Sequence, residues 1–162
     1  MYRLGHYGTA LLVYAPLGLG LLHADLPELA FLGGALSVGL APVPDYDQRL
    51  PFVRHRGVTH TFLFAGVVGG VLAGLGWSVG ASTAPQPPIV LAAFGAVVGT
   101  TSVLAHLLAD VVTPAGIAPL WPVSGRTYTL DLVRADNTIA NYLLLGLGVV
   151  AVLAVAATAP IR

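Results

Sequence analysis

The sequence predicts an all-α integral membrane protein, a bundle of about five transmembrane helices with a polar site at one membrane face. Three observations lead there. Of the 162 residues 56% are hydrophobic and 9% charged, with a mean hydropathy of +0.85, too apolar for a soluble domain that must cover its surface with charge. Five apolar runs, about 9–24, 27–43, 60–80, 88–112 and 138–159, are separated by polar, Pro- or Gly-containing segments. When these runs are threaded up and down, nearly all the ionisable residues between them fall on one side.

The first run, TALLVYAPLGLGLLHA, holds Pro16 and is slightly short of the roughly 20 residues of a span, which predicts a kinked helix. No small-x-small cleavage pattern precedes His23 and Asp25, so the run is read as a retained helix. The second opens near Glu28 and stops at Ala41-Pro42-Val43-Pro44. The third has Thr59 as its expected N-cap and carries Gly66, Gly70 and Gly74 at intervals of four. That stripe suits close helix packing in lipid, although a chain with 20 glycines produces such spacings freely. Ser82 to Pro88 (STAPQPP) is an uncharged turn, and the fourth run repeats the device with Gly95 and Gly99 before ending in His106 and Asp110. A polar loop from Thr113 to Asp136 leads to the fifth run. Residues 1–162 are read as a single transmembrane helical domain without internal repeat.

Composition narrows the chemistry. Cysteine is absent, so disulfides and thiolate metal sites are excluded and any metal must be held by His and carboxylate. All seven basic residues are Arg and the formal charge is zero, which argues against nucleic acid as a partner.

The threading places His6, residues 44–59 and residues 106–137 on one membrane face, and His23, Asp25 and Glu28 on the other. The first face also collects Arg3, Arg49, Arg54, Arg56, Arg126 and Arg134, against Arg162 alone opposite. The positive-inside rule then makes the site face cytoplasmic, with the chain a multi-pass protein of the inner or plasma membrane, N-terminus in and C-terminus out.

His106 and Asp110, four apart at the end of an apolar helix, share a face. An ionisable residue at membrane depth is by default functional, the bland alternative being a private His-Asp hydrogen bond. Asp45 and Asp47, two apart after Pro44, face the same way if that stretch is extended, so both carboxylates could meet one cation; ordinary turn chemistry is the alternative. His55 and His60 are five apart, about 140° around a helix, so Gly57 must break the chain between them, leaving His55 in the loop and His60 in the first turn of the third helix. A helix N-terminus there favours a substrate that brings negative charge, and Arg54 and Arg56 reinforce this. His6 is a further candidate ligand, or an interfacial histidine in a frayed terminus. Thr113, Ser124, Trp121, Arg126 and Arg134 belong to the same face, as belt residues or anion contacts, and Asn137 and Asn141 line the cavity or bond to neighbouring helices.

His6, Asp45, Asp47, His55, His60, His106 and Asp110 are thus the candidate metal ligands, more than one zinc needs, so one or two ions are expected. Zinc is the first choice, with manganese or iron as alternatives. A spare carboxylate, Asp47, could act as general base, and Arg54, Arg56 or Arg126 could stabilise developing charge.

These motifs together, Pro44-Asp45-Tyr46-Asp47, His55-Arg56-Gly57-Val58-Thr59-His60, His106-Leu107-Leu108-Ala109-Asp110, Thr113-Pro114-Ala115-Gly116 and Trp121-Pro122, resemble the YdjM/YbcI-type membrane-bound metal-dependent hydrolases, a family also labelled LexA-binding and inner-membrane-associated. The resemblance runs from about His6 to Asn141 and implies Asp45, Asp47, His55, His60, His106 and Asp110 as the polar core. The chain departs from it at Thr61, where many members are expected to carry Ser; a hydroxyl remains.

The function expected first is a membrane-embedded hydrolase using one or two divalent ions on a phosphate ester of a lipid or lipid-linked substrate, with membrane lipid as partner and a homo-oligomer as an option. A non-catalytic scaffold with a structural metal, docking a cytoplasmic regulator, is the alternative. A metal or proton transporter is a further one, though the middles of the third and fifth runs hold no ionisable residue. No H-E-x-x-H occurs, which disfavours an intramembrane protease.

Overall fold

The computed structural model describes residues 1–82 and 84–159. Thr83, inside the predicted turn, and Arg162 lie outside the described residues. The described residues form five α-helices, α1 (Arg3–His23), α2 (Pro27–Leu40), α3 (Phe62–Ser82), α4 (Pro88–Val111) and α5 (Thr138–Ala157), with two short 3-10 helices, Pro44–Arg49 and Val58–His60. No strand forms among the described residues beyond an isolated antiparallel bridge between Ile117 and Tyr128. Among the described residues four stretches are long and apolar enough to cross a membrane: Pro27–Arg49, Phe62–Ser82, Pro88–Val111 and Thr138–Ala157.

α1 begins two turns before its apolar run. Arg3 and His6 lower the local hydropathy but not the helical hydrogen bonding, and Asn141 of α5 fixes the helix start by accepting from the Tyr2 and Gly5 backbone N–H groups at 3.1 and 3.2 Å. Pro16 does not interrupt the helix. α3 begins at Phe62, later than expected. Thr61, in extended conformation, caps it by accepting from the Phe64 N–H at 3.1 Å, whereas Thr59, the expected cap, turns its hydroxyl to Asp47. His60 therefore lies in a 3-10 turn ahead of α3 and not in its first turn, which removes the helix N-terminus argument for an anionic substrate. Asn137 caps α5, accepting from the Ala140 N–H at 3.0 Å.

α3 packs chiefly on α4, and α1 on α5 and α2. The glycines at the α3–α4 crossing are not the predicted stripe: Gly66, Gly70 and Gly74 face open space. Gly69 and Gly76 face α4, and Gly95 and Gly99 face α3 as expected, Gly99 against Gly69; a Cβ on Gly95 would lie 2.3 Å from the Leu72 carbonyl oxygen. With a period of 3.6, a spacing of seven keeps Gly69 and Gly76 on one face. Gly8 and Gly148 serve the α1–α5 crossing in the same way.

The start of α1, the end of α2, the start of α3 and the end of α4 meet at one end of the bundle. His23, at the far end of α1, is exposed.

Candidate metal centre

Four side chains from three separate segments converge there. Asp45 comes from the 3-10 turn after α2, His60 from the turn before α3, and His106 and Asp110 from the last two turns of α4. His60, His106 and Asp110 are buried, while the Asp45 side chain is 20% exposed. His60 Nε2 lies 3.5 Å from Asp45 Oδ1, 3.4 Å from Asp110 Oδ2 and 3.1 Å from His106 Nε2; His106 Nε2 lies 3.6 Å from Asp45 Oδ1 and 3.7 Å from Asp110 Oδ2. Ligand atoms bonded tetrahedrally to an ion at about 2.0–2.2 Å stand about 3.3–3.6 Å apart; the separations of 3.4, 3.5 and 3.6 Å fall in that range, and those of 3.1 and 3.7 Å lie just outside it.

The ring orientations fit as well. His106 Nδ1 is 2.7 Å from the Ala41 carbonyl oxygen, an acceptor only, so Nδ1 carries the proton and Nε2 offers its lone pair inward. His60 Nδ1 faces Asp47 Oδ2 at 3.4 Å and the Thr59 hydroxyl at 3.0 Å, again leaving Nε2 for the centre. One proton between the two Nε2 atoms would satisfy that pair but not Asp110 Oδ2, which is buried without a hydrogen-bond partner. Although burial disfavours a charged His60, the Asp110 and Asp45 carboxylates outweigh it and raise its pKa above the ordinary histidine value.

Around this set stands a second one. Asp47 Oδ1 accepts from His55 Nδ1 at 2.8 Å, and Asp47 Oδ2 accepts from the Thr59 hydroxyl at 2.7 Å and the Arg56 backbone N–H at 3.2 Å. Asp45 and Asp47 do not face one cation from an extended stretch. The 3-10 turn splays them, so Asp45 meets His60 at Nε2 and Asp47 meets the same ring at Nδ1. Asp47, His55 and His60 are themselves close enough to share an ion. Arg56 adopts φ +59°, and Gly57 follows because a Cβ there would lie 2.7 Å from the Arg54 carbonyl oxygen. The Arg56 guanidinium donates to Asp110 Oδ1 at 3.0 Å, to Thr113 Oγ1 at 3.1 Å and to the Gly116 carbonyl at 2.9 Å. The Met1 amino group also donates to Asp110 Oδ1.

His6 is brought in too. Its ring is 1% exposed and stacks on His106 with centroids 3.8 Å apart and planes 3° from parallel. Arg54 and Arg126 are exposed, Arg126 lying over the Tyr128 ring at 5.3 Å. Arg134 pairs with Asp136 on the surface. Asn137 and Asn141 serve as the α5 cap and the α1–α5 tie. Sequence reasoning passed over Thr59 as a partner of Asp47 and the Ala41 carbonyl as a partner of His106. A hydroxyl one residue before a candidate ligand was a usable signal for the first; a backbone oxygen carries none.

A cavity of about 910 Å³ opens onto Asp45, His55 and Arg56 and is bordered by Arg3, Arg49 and Tyr46. On the other side of the 55–57 loop a cavity of about 630 Å³, bordered by Arg54 and Trp121, does not reach Asp45. An apolar groove of about 570 Å³ between α1, α4 and α5, lined by Leu12, Leu108, Leu144 and Leu147, shares Met1 with the first cavity.

A sequence model of the family described as YdjM inner membrane protein matches residues 1–161. No match was found among curated proteins or among solved structures.

Proposed function

The chain belongs to the YdjM family of inner membrane proteins, and from that premise we propose that it is a metal-dependent hydrolase acting at one membrane face on a phosphate ester of a lipid or lipid-linked substrate. The observation that carries this is the convergence of His60 Nε2, His106 Nε2 and one oxygen each of Asp45 and Asp110 at or near tetrahedral edge lengths, beside a cavity bordered by arginines. These four residues would hold a divalent ion, zinc by the tetrahedral spacing and manganese or iron as alternatives. Such an ion supplies Lewis-acid polarisation of a phosphoryl oxygen and a water of lowered pKa.

The chain's own residues do the rest. Asp47 orients His60, and Arg56, with its hydrogens directed at Asp110, Thr113 and Gly116, positions Asp110 in place of contacting substrate. His55 is held through Nδ1 by Asp47 and is 42% exposed at the side chain, which leaves Nε2 free to take or give a proton in the cavity. Arg3 and Arg49 border that cavity, where guanidinium groups receive a phosphate; Arg54 and Arg126 stand at the surface outside it. The adjoining apolar groove suits an acyl or isoprenoid chain. The arginines gathered at this end support a cytoplasmic orientation by the positive-inside rule.

The test is elemental analysis of detergent-purified protein beside Asp110→Ala, followed by turnover of phosphate monoester and diester lipids. Metal in the wild type, its loss in the variant and metal-dependent turnover are expected. A wild type purified without metal under metal-replete conditions overturns the reading. The complete burial of His60 and His106 favours a second reading, a structural ion in a non-catalytic scaffold, which metal without turnover would select.

A further inference from the structure

His6 has no role in the four-ligand set, yet both of its ring nitrogens are buried without a hydrogen-bond partner. A ring that is 99% buried with both nitrogens unsatisfied is costly unless something else satisfies them. For Nε2 its surroundings say what that is. His6 Nε2 lies 3.6 Å from Asp110 Oδ1 and 3.8 Å from Asp45 Oδ2. These are the carboxylate oxygens that the first set does not use: His60 and His106 face Asp45 Oδ1 and Asp110 Oδ2. Each of the two aspartates therefore presents one oxygen to the His60–His106 side and the other to the His6 side.

We propose that Asp45 and Asp110 are bridging carboxylates and that His6 Nε2 ligates a second divalent ion beside the one held by His60 and His106. The stacking of His6 on His106 sets the scale. Two parallel rings 3.8 Å apart, each aimed at the same pair of carboxylates, hold two ions at about that separation, and hydrolytic two-metal sites place theirs about 3.5–4 Å apart. The coordination of the second ion is thinner, one nitrogen and two bridging oxygens, which leaves positions open to water or a substrate oxygen. The competing occupant is the Met1 amino group, which with Arg56 already donates to Asp110 Oδ1.

The inference rests on the four-ligand reading, and its test separates the two. Purified full-length protein is reconstituted with Zn²⁺ and, separately, with Mn²⁺, desalted, and measured for metal per chain, the Mn²⁺ form also by electron paramagnetic resonance. Wild type is expected to hold two ions per chain and to show an exchange-coupled Mn²⁺ spectrum. His6→Gln is expected to hold one and to show an uncoupled spectrum, and Asp110→Ala to hold none. A wild type with one ion and an uncoupled spectrum overturns the second site and leaves the first standing, with the Met1 amino group as the second cation. The wild-type stoichiometry and spectrum decide even where His6→Gln fails to fold. Absence of metal from the wild type overturns both readings together.

Discussion

The two histidine-aspartate groups share His60 but differ in what their lone pairs meet. In the outer group both Asp47 oxygens are engaged, by His55, Thr59 and the Arg56 backbone, and the carboxylate is a finished hydrogen-bond acceptor. In the inner group Asp110 Oδ2 and both His6 nitrogens have no partner, and the two Nε2 atoms of His60 and His106 face each other. A satisfied buried group needs nothing more, whereas a cluster of inward lone pairs needs a cation. The same residue types at similar spacings thus separate into buttress and ligand, and the hydrogen-bond count makes the separation.

Substitutions can break or sharpen that contrast. The largest effect is expected for His106→Ala, which removes a ligand whose ring is locked by Ala41: metal binding measured by titration calorimetry should be lost altogether. Asp47→Asn should reduce metal affinity by about 10–100-fold without abolishing it, the usual cost of an outer partner. If Asp47→Asn matches His106→Ala, the two groups are one and the contrast fails.

Acidification comes next. His60 holds its proton above the ordinary pKa of 6.5, and ligation must displace that proton, so apparent affinity should fall by up to about tenfold for each pH unit below the raised value. The sign for the metal-free fold is opposite. The raised pKa stabilises it fully below 6.5, and that contribution fades as pH rises through the folded value. Calorimetric titrations at several pH values, with thermal melts of the metal-free protein, check both directions. The smallest effect on the ion is expected from the α3–α4 crossing. Gly95→Ala forces a Cβ against the Leu72 carbonyl and should lower the melting temperature, and Gly66→Ala should leave it unchanged, with metal per folded chain the same in both.

Much of this was legible in the sequence, for reasons that can be located. Hydropathy marked the helices because α3 and α5 carry no charged residue along their length. The alternation of crossings brought His60, His106 and Asp110 to one end before any distance was known. What escaped was decided by local backbone. The 3-10 turn at Pro44–Arg49 separates Asp45 from Asp47, where an extended stretch would have joined them. Thr59 and Thr61 exchanged roles because Asp47 claims the first hydroxyl. The first two turns of α1 were hidden by Arg3 and His6, whose polarity belongs to the site and not to the span. The glycine stripe on α3 was misread because spacing alone cannot say which face a helix turns to its neighbour.

The segments that meet at the centre belong to four different parts of the chain, and no covalent bond ties them. Any ion held by Asp45, His60, His106 and Asp110 is consequently a cross-link among three of them, the turn after α2, the turn before α3 and the end of α4. By mass action its concentration enters the folding equilibrium, adding about 2.7 kcal/mol at a hundredfold excess over its dissociation constant. Scarcity of the ion would then loosen these turns first, leaving the glycine-packed α3–α4 crossing assembled, so that availability of metal sets how firmly the membrane-face loops are held.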